Sequence, residues 1–362
     1  VRILIDVLHP AHVHFFRHFR AQMLDRGHEV LVTARDKDVA IELLNEFGIP
    51  YEVLSRQRSG TVGLAAELVE RSARLLRVAR RFRPDVLTGI MGPVIAPVGR
   101  LIRVPAVVFY DTEWASRTNR FVYPLAACVC TPDSYTGAVN GTHVTYPGYH
   151  ELAYLHPDLF TADEGRLAEY GLERPFVLVR FVSWKASHDV GGGALEPDSK
   201  LELVRRLQAR TRVAISAEGE LPAELEPLRL RGPISGIHHV LAAAELVVGD
   251  SGTMSSEAAV LGTPAVFISP MRAGVHEDQE RYGLMARSLP SEFDRAWDAV
   301  TRYLEDGSAA ASHRRMLDDK INVADWMVRF FESRAFERST AAADDPTAFD
   351  PGPGPGPRRG EP

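Results

Sequence analysis

The chain has 362 residues, 45% of them hydrophobic and 25% charged, with a formal net charge of −6 at pH 7. That length exceeds one ordinary core and calls for two domains. The composition is that of a globular body, and the mild acidity argues against nucleic acid as the main partner. Two cysteines, Cys128 and Cys130, exclude a disulfide framework and fit a reducing cytoplasm, and their spacing without a second pair does not suit zinc.

The opening RILIDVL is a strand pattern with no basic start or apolar signal core before it, and no stretch reaches the roughly 18 apolar residues that span a bilayer. Strand patterns follow at 29–33, 51–54, 85–89, 106–110 and 127–131, with helical spacing at 13–26, 37–47, 61–83 and 93–102. Such alternation implies right-handed βαβ units and a parallel sheet covered on both faces. Residues 150–175 read as a mixed junction. The alternation restarts with strands at 176–182, 212–216, 246–249 and 265–269 and helices at 198–210, 236–245 and 254–262. Consecutive helices are expected over 291–334. From about 335 the chain is rich in Pro, Gly and charge and lacks the apolar surface to fold. The expected organisation is a domain over 1–155, a second over 156–321, a helix at 322–334 packing back on the first, and a disordered tail over 335–362.

Between the last two strands of the second half lies GDSGTMSSEAAVLGTP (249–264). Ligands of open parallel sheets bind beyond the carboxyl ends of strands. The first amides of a helix lack internal partners and carry partial positive charge. Asp250, Ser251, Gly252 and Thr253 are therefore a candidate pyrophosphate seat. Glu257, one turn in, can accept hydrogen bonds from two vicinal hydroxyls, such as those of a ribose. The plain alternative is an N-cap at Asp250 or Ser251 followed by a solvated or capping Glu257.

The stretch SGTMSSEAAVLGTP, set in the second of two Rossmann-like halves, resembles the nucleotide-binding region of GT-B glycosyltransferases. It is similar to the corresponding segments of non-hydrolysing UDP-N-acetylglucosamine 2-epimerases and of MurG-type N-acetylglucosaminyltransferases, and to an uncharacterised prokaryotic group near them. The resemblance implies an α/β GT-B fold with two parallel sheets facing a central cleft. It also implies that the glycine turn holds nucleotide phosphates and that Glu257 holds the ribose.

In the first half, HPAHVHFFRHF (9–19) follows strand one with four histidines. His12 matches the histidine of the MurG-type glycine loop, although the glycines are missing, and an imidazole suits removal of a hydroxyl proton. His14 and His18 also fit one face of a helix. FYDTEWASR (109–117) brings Asp111 and Glu113 to the end of strand five, where the epimerases carry an acidic residue, Glu113 being the nearest match. Arg180 follows the first strand of the second half and can pair with phosphate. Beyond it, His188 and three glycines suggest a loop over the donor. Arg272, after the strand that follows Glu257, occupies a position that often touches the sugar in GT-B enzymes. Asp36-Lys37-Asp38 suits a helix start better than a metal site. The helix 61–83 carries Arg71, Arg74, Arg77, Arg80, Arg81 and Arg83, a face that water or anionic lipid can cover.

The leading expectation is an inverting, metal-independent glycosyltransferase. It would use a nucleotide-diphospho-sugar, with UDP the favoured nucleotide, an unidentified acceptor and no cofactor. A sugar-nucleotide 2-epimerase is the alternative, weakened by the absence of the epimerases' GTRPE-like loop. A third is a non-catalytic sugar-nucleotide-binding protein. The location expected is cytoplasmic, with peripheral contact at the inner membrane face through helix 61–83.

Overall fold

The β-branched runs become two all-parallel sheets in the computed structural model, which describes residues 1–113, 116–182, 195–306 and 309–337. Two units result: residues 1–159 together with those from 321 onward, and Phe160–Lys320.

The first unit runs β1 (Arg2–Val7), α1 (Pro10–Asp25), β2 (Glu29–Asp36), α2 (Ala40–Glu46), β3 (Glu52–Arg56), α3 (Gly60–Phe82), β4 (Val86–Ile90), α4 (Ile95–Ile102), β5 (Ala106–Phe109), α5 (Ser116–Val122), β6 (Cys128–Pro132) and β7 (His143–Tyr146). The strand order is β3-β2-β1-β4-β5-β6-β7. Central strands such as VLTGI, AVVF and CVCTP are buried at every residue, as parallel strands covered on both faces must be. Chain direction across the sheet reverses between β1 and β4, which makes their carboxyl ends the natural ligand-binding edge. Helix α1 begins at Pro10, three residues before the expected start. Proline at N1 needs no acceptor for its missing N–H, and His9 caps the turn by accepting from Ala11 N–H at 3.3 Å.

The second unit runs β8 (Phe176–Phe181), α6 (Pro197–Gln208), β9 (Arg212–Ala217), α7 (Ile237–Ala243), β10 (Leu246–Gly249), α8 (Gly252–Val260), β11 (Ala265–Ile268), α9 (Gly274–Tyr282), β12 (Met285–Ser288), α10 (Phe293–Glu305) and α11 (Ala309–Asp319). Its order is β12-β11-β10-β8-β9, with the reversal between β8 and β10. The core on one face joins Val177, Val179 and Phe181 to Leu203, Val204 and Leu207 of α6 and to Ala296 and Val300 of α10.

After α11 the chain returns to the first unit as α12 (Val323–Glu332). There Trp326 stacks on Phe330 and tilts against Tyr146, while Phe331 meets Phe19 of α1 at 4.9 Å. Phe336 is buried against Phe330 and Phe331, so ordered structure continues to Glu337, past the expected start of a disordered tail at 335. The tail from 338 and the glycine loop with His188 lie outside the described residues. Four of the helices and strands named above were not expected: α5, β7, α9 and β12.

Candidate functional site

In the second unit, β10 ends at Gly249, where a Cβ would collide with the Arg180 carbonyl oxygen of β8. Only glycine lets the two strands come this close before the chain turns into α8. Ser251 is the N-cap of α8, its Oγ accepting from Met254 N–H at 3.4 Å. The first ladder bond is Ser255 N–H to Ser251 O at 3.1 Å. The amides of Gly252 and Thr253 therefore have no acceptor within the helix, and the positive end of the helix dipole sits on them. Thr253 is exposed. A Cβ on Gly252 would lie 2.8 Å from Cε1 of His276, so the imidazole of α9 packs over the bare Cα.

Asp250 faces inward. One carboxylate oxygen accepts from Val182 N–H at 2.7 Å and the other lies 3.7 Å from Nζ of the fully buried Lys200. Burial raises its pKa, opposed by the Val182 amide and the Lys200 charge. Asp250 thus anchors the turn to β8 and α6, a positioning task that differs from the phosphate contact expected of it. Arg180 also points elsewhere: it donates to Ser216 Oγ at 3.0 Å and pairs with Glu218 beyond β9. Arg272 is exposed in the loop between β11 and α9. Glu257 is 5% exposed, and its Oε1 lies 3.1 Å from Nε2 of His238, itself buried on α7. The alternative of a solvated glutamate is excluded by this burial, and His238 was not anticipated.

In the first unit, residues from four elements gather near the carboxyl ends of β1 and β5. His12, in the first turn of α1, is buried, and its Nδ1 accepts from Leu8 N–H at 3.2 Å. A neutral ring with Nδ1 so engaged carries its proton on Nε2. Burial pushes its pKa well below the ordinary value, and the nearby His9, His150 and Arg71 charges push the same way against Asp111. His12 thus holds its Nδ1 lone pair toward the Leu8 amide in this arrangement. Arg71 of α3 is 3% exposed and donates to Asp6 Oδ1 at 2.6 Å and to Val7 O at 3.2 Å. It belongs to the interior, not to the basic face expected of this helix.

Asp111 follows β5. Its Oδ2 lies 2.9 Å from Nδ1 of His150, in the turn after β7, and its Oδ1 accepts from Thr112 Oγ1 at 2.9 Å. Burial alone would raise its pKa, but the His150 imidazole, the Thr112 hydroxyl and His12 outweigh that and bring it down to about 2. Glu113 is engaged with a neighbouring turn, its Oε1 accepting from Thr136 N–H at 3.0 Å and from Thr136 Oγ1 at 3.1 Å. The structure brings together His12 and Asp111, joins them to the unanticipated His150, and turns Glu113 aside. Asp36 ends β2 and pairs with Arg56 at 2.8 Å. Among the described residues no three His, Cys, Asp or Glu side chains converge as a metal-ligand set, and no helix is long and apolar enough to cross a membrane.

Comparison with known proteins agrees with this architecture. The chain is 30% identical over 115 residues to the UDP-N-acetylglucosamine--N-acetylmuramyl-(pentapeptide) pyrophosphoryl-undecaprenol N-acetylglucosamine transferase of Syntrophotalea carbinolica, covering 29% of this chain and 32% of that protein. With the same transferase of Pseudomonas paraeruginosa it shares 28% over 282 residues, 71% of this chain and 73% of that one. The chain thus spans about a third of the first relative's length and nearly three quarters of the second's. Among solved structures, the UDP-GlcNAc 2-epimerase of Neisseria meningitidis bound to UDP-GlcNAc superposes with TM-score 0.63 at 11% identity, covering 92% of this chain and 100% of that one. MurG of Acinetobacter baumannii superposes with TM-score 0.52 at 14% identity, with the same coverages. At these identities the solved structures show the fold, which is GT-B. Residues 1–193 match the profile described as "Protein of unknown function (DUF354)", and the chain belongs to that family.

Proposed function

We propose that this protein is a GT-B enzyme that binds a nucleotide-diphospho-sugar, UDP-linked in the leading reading, and transfers the sugar with inversion to an acceptor. The observation that carries the proposal is the start of α8. Two first-turn amides without helical acceptors stand beside a serine cap, and a buried glutamate is held by His238 one turn further on. Amides at a helix N-terminus suit a diphosphate, and a fixed carboxylate suits a ribose diol. The same dipole would stabilise the charge that develops on the departing nucleoside diphosphate. No metal is required for this, and no cofactor beyond the sugar nucleotide. Transferase relatives that match over most of the chain support the reading, and the epimerase fold neighbours mark the alternative.

Attachment at a membrane surface is part of the proposal. Val62, Leu64, Leu68 and Val69 of α3 are exposed, Val62 to 83%, with Arg77 and Arg80 exposed further along the helix. Apolar side chains beside basic ones suit an anionic lipid surface.

The deciding experiment incubates the protein with UDP-N-acetylglucosamine in D2O and follows the sugar by NMR. A transferase leaves the C2 proton in place and releases UDP only when an acceptor is added. Deuterium at C2 with a manno product, in the absence of acceptor, would replace the transferase reading by the epimerase one.

A further inference from the structure

We propose that Lys200 is a positioning residue of the donor seat in the second unit. Its ammonium holds the Asp250 carboxylate away from the start of α8 and cancels its charge, so that the first amides of the helix keep their positive potential for an anionic ligand. This role rests on the nucleotide-diphospho-sugar reading above.

The difficulty lies in the turn itself. Asp250 stands one residue before the N-cap of α8. A helix N-terminus attracts negative charge from any source, whether a ligand or a carboxylate of the chain. An unopposed aspartate there would screen the amides of Gly252 and Thr253 and repel a diphosphate. The cap that α8 uses is the neutral hydroxyl of Ser251. The Asp250 carboxylate is directed elsewhere: one oxygen accepts from Val182 N–H at 2.7 Å, just past β8, and the other faces Nζ of Lys200 at 3.7 Å.

The placement of Lys200 is what the chain must justify. Its side chain, on α6, has no exposed surface, and that of Asp250 is 9% exposed. Lysine is almost never so buried unless paired, because an ammonium taken out of water loses its hydration. Nζ lies 5.3 Å from the centre of the Phe181 ring, over its face. Burial lowers the pKa of Lys200 and raises that of Asp250, and each charge opposes the other's shift. Glu196 also favours the charged lysine, and Arg180 the charged aspartate. Arg180, however, is engaged by Ser216 and Glu218. Lys200 is therefore the cation set against Asp250. With no exposed surface it does not touch a ligand itself; it acts through Asp250. A buried pair of this kind is also screened little by salt.

The test compares UDP with uridine on the full chain by 1H–15N amide titration, with the ratio of the two affinities as the measure of what the diphosphate contributes. In Lys200→Met the ratio should fall roughly 5- to 30-fold, the effect of one partly buried charge at a helix terminus, with uridine affinity within twofold of wild type. Adding Asp250→Asn should return the ratio to within twofold of wild type, because removing both charges of a buried pair leaves nothing to repel the ligand. A lysine that served packing alone would lower both affinities together, and the second substitution would not rescue them. An unchanged ratio in Lys200→Met, or a fall that Asp250→Asn does not reverse, overturns the role of Lys200 alone. If Lys200→Met does not fold, Asp250→Asn by itself decides: the ratio should rise about threefold or more, and no rise overturns the role. A wild-type protein that binds UDP no more tightly than uridine, with the Gly252 and Thr253 amides unmoved, overturns the diphosphate seat and the donor reading with it.

Discussion

Replacing Glu257 by Gln separates grip on the nucleotide from grip on the fold. The Glu257 carboxylate is 5% exposed and accepts from a buried imidazole at 3.1 Å. The glutamine keeps size and an accepting oxygen for His238, but loses the charge and one acceptor. A hydrogen bond to a charged group contributes about 1.5–3 kcal/mol, so UDP affinity should fall roughly 10- to 150-fold. Glu257→Ala should bind as weakly and also lose about 1–3 kcal/mol of stability, because the carboxylate facing buried His238 is gone. Calorimetry with UDP and with 2′,3′-dideoxy-UDP completes a cycle. Deleting the hydroxyls should cost the wild type most of that energy and cost Glu257→Gln little. If the two nucleotides bind wild type equally, or if Glu257→Gln binds UDP as wild type does, Glu257 does not hold the ribose.

Two further outcomes concern stability and location. Glu67 of α3 accepts from Arg35 at 2.6 and 2.7 Å, from Arg58 N–H at 3.0 Å and from Ser55 Oγ at 2.9 Å, and Arg35 leads in holding its pKa down to about 2 against the opposing effect of burial. A depressed carboxyl pKa stabilises fully above the ordinary value of about 4.5, and the benefit is lost as pH falls toward 2, here roughly 3 kcal/mol. Urea midpoints measured from pH 5.5 to 2.5 should therefore slope less steeply in Glu67→Gln, and equal slopes would refute the assignment. Val62→Asp with Val69→Asp should lower sedimentation with anionic vesicles at least tenfold, given about 1.5–3 kcal/mol for each buried valine, and undiminished binding would remove α3 as the contact.

The central strands, buried on both faces, were legible from their continuous apolar runs, and the edge strands β3 and β9 from the apolar residues at their middles. The ones that escaped, HVTY in β7 and MARS in β12, are four-residue edge strands with polar positions inside them. Helix α9 escaped because its sequence, GVHEDQERY, has little apolar periodicity; one of its buried positions is Gln279, which donates to Ser256 Oγ at 2.7 Å. The start of α8 was readable because cap, glycine and glutamate lie within seven residues. His238 and His150 were not. Each matters through a partner distant in sequence, and the second is delivered by β7, a strand that left little local trace.

The return of α12 makes the second unit an insertion within the first. Arg26 and Glu332, a 3.2 Å ion pair, are 306 residues apart in the chain, whereas every strand of the second sheet lies in one uninterrupted stretch. During synthesis the second unit can complete its core as soon as its last residues emerge. The first unit, although made earlier, must wait with the Phe19 face of α1 and Tyr146 uncovered until Trp326 and Phe331 arrive. A premature stop just before Val323 would therefore injure the older half of the chain and spare the newer one.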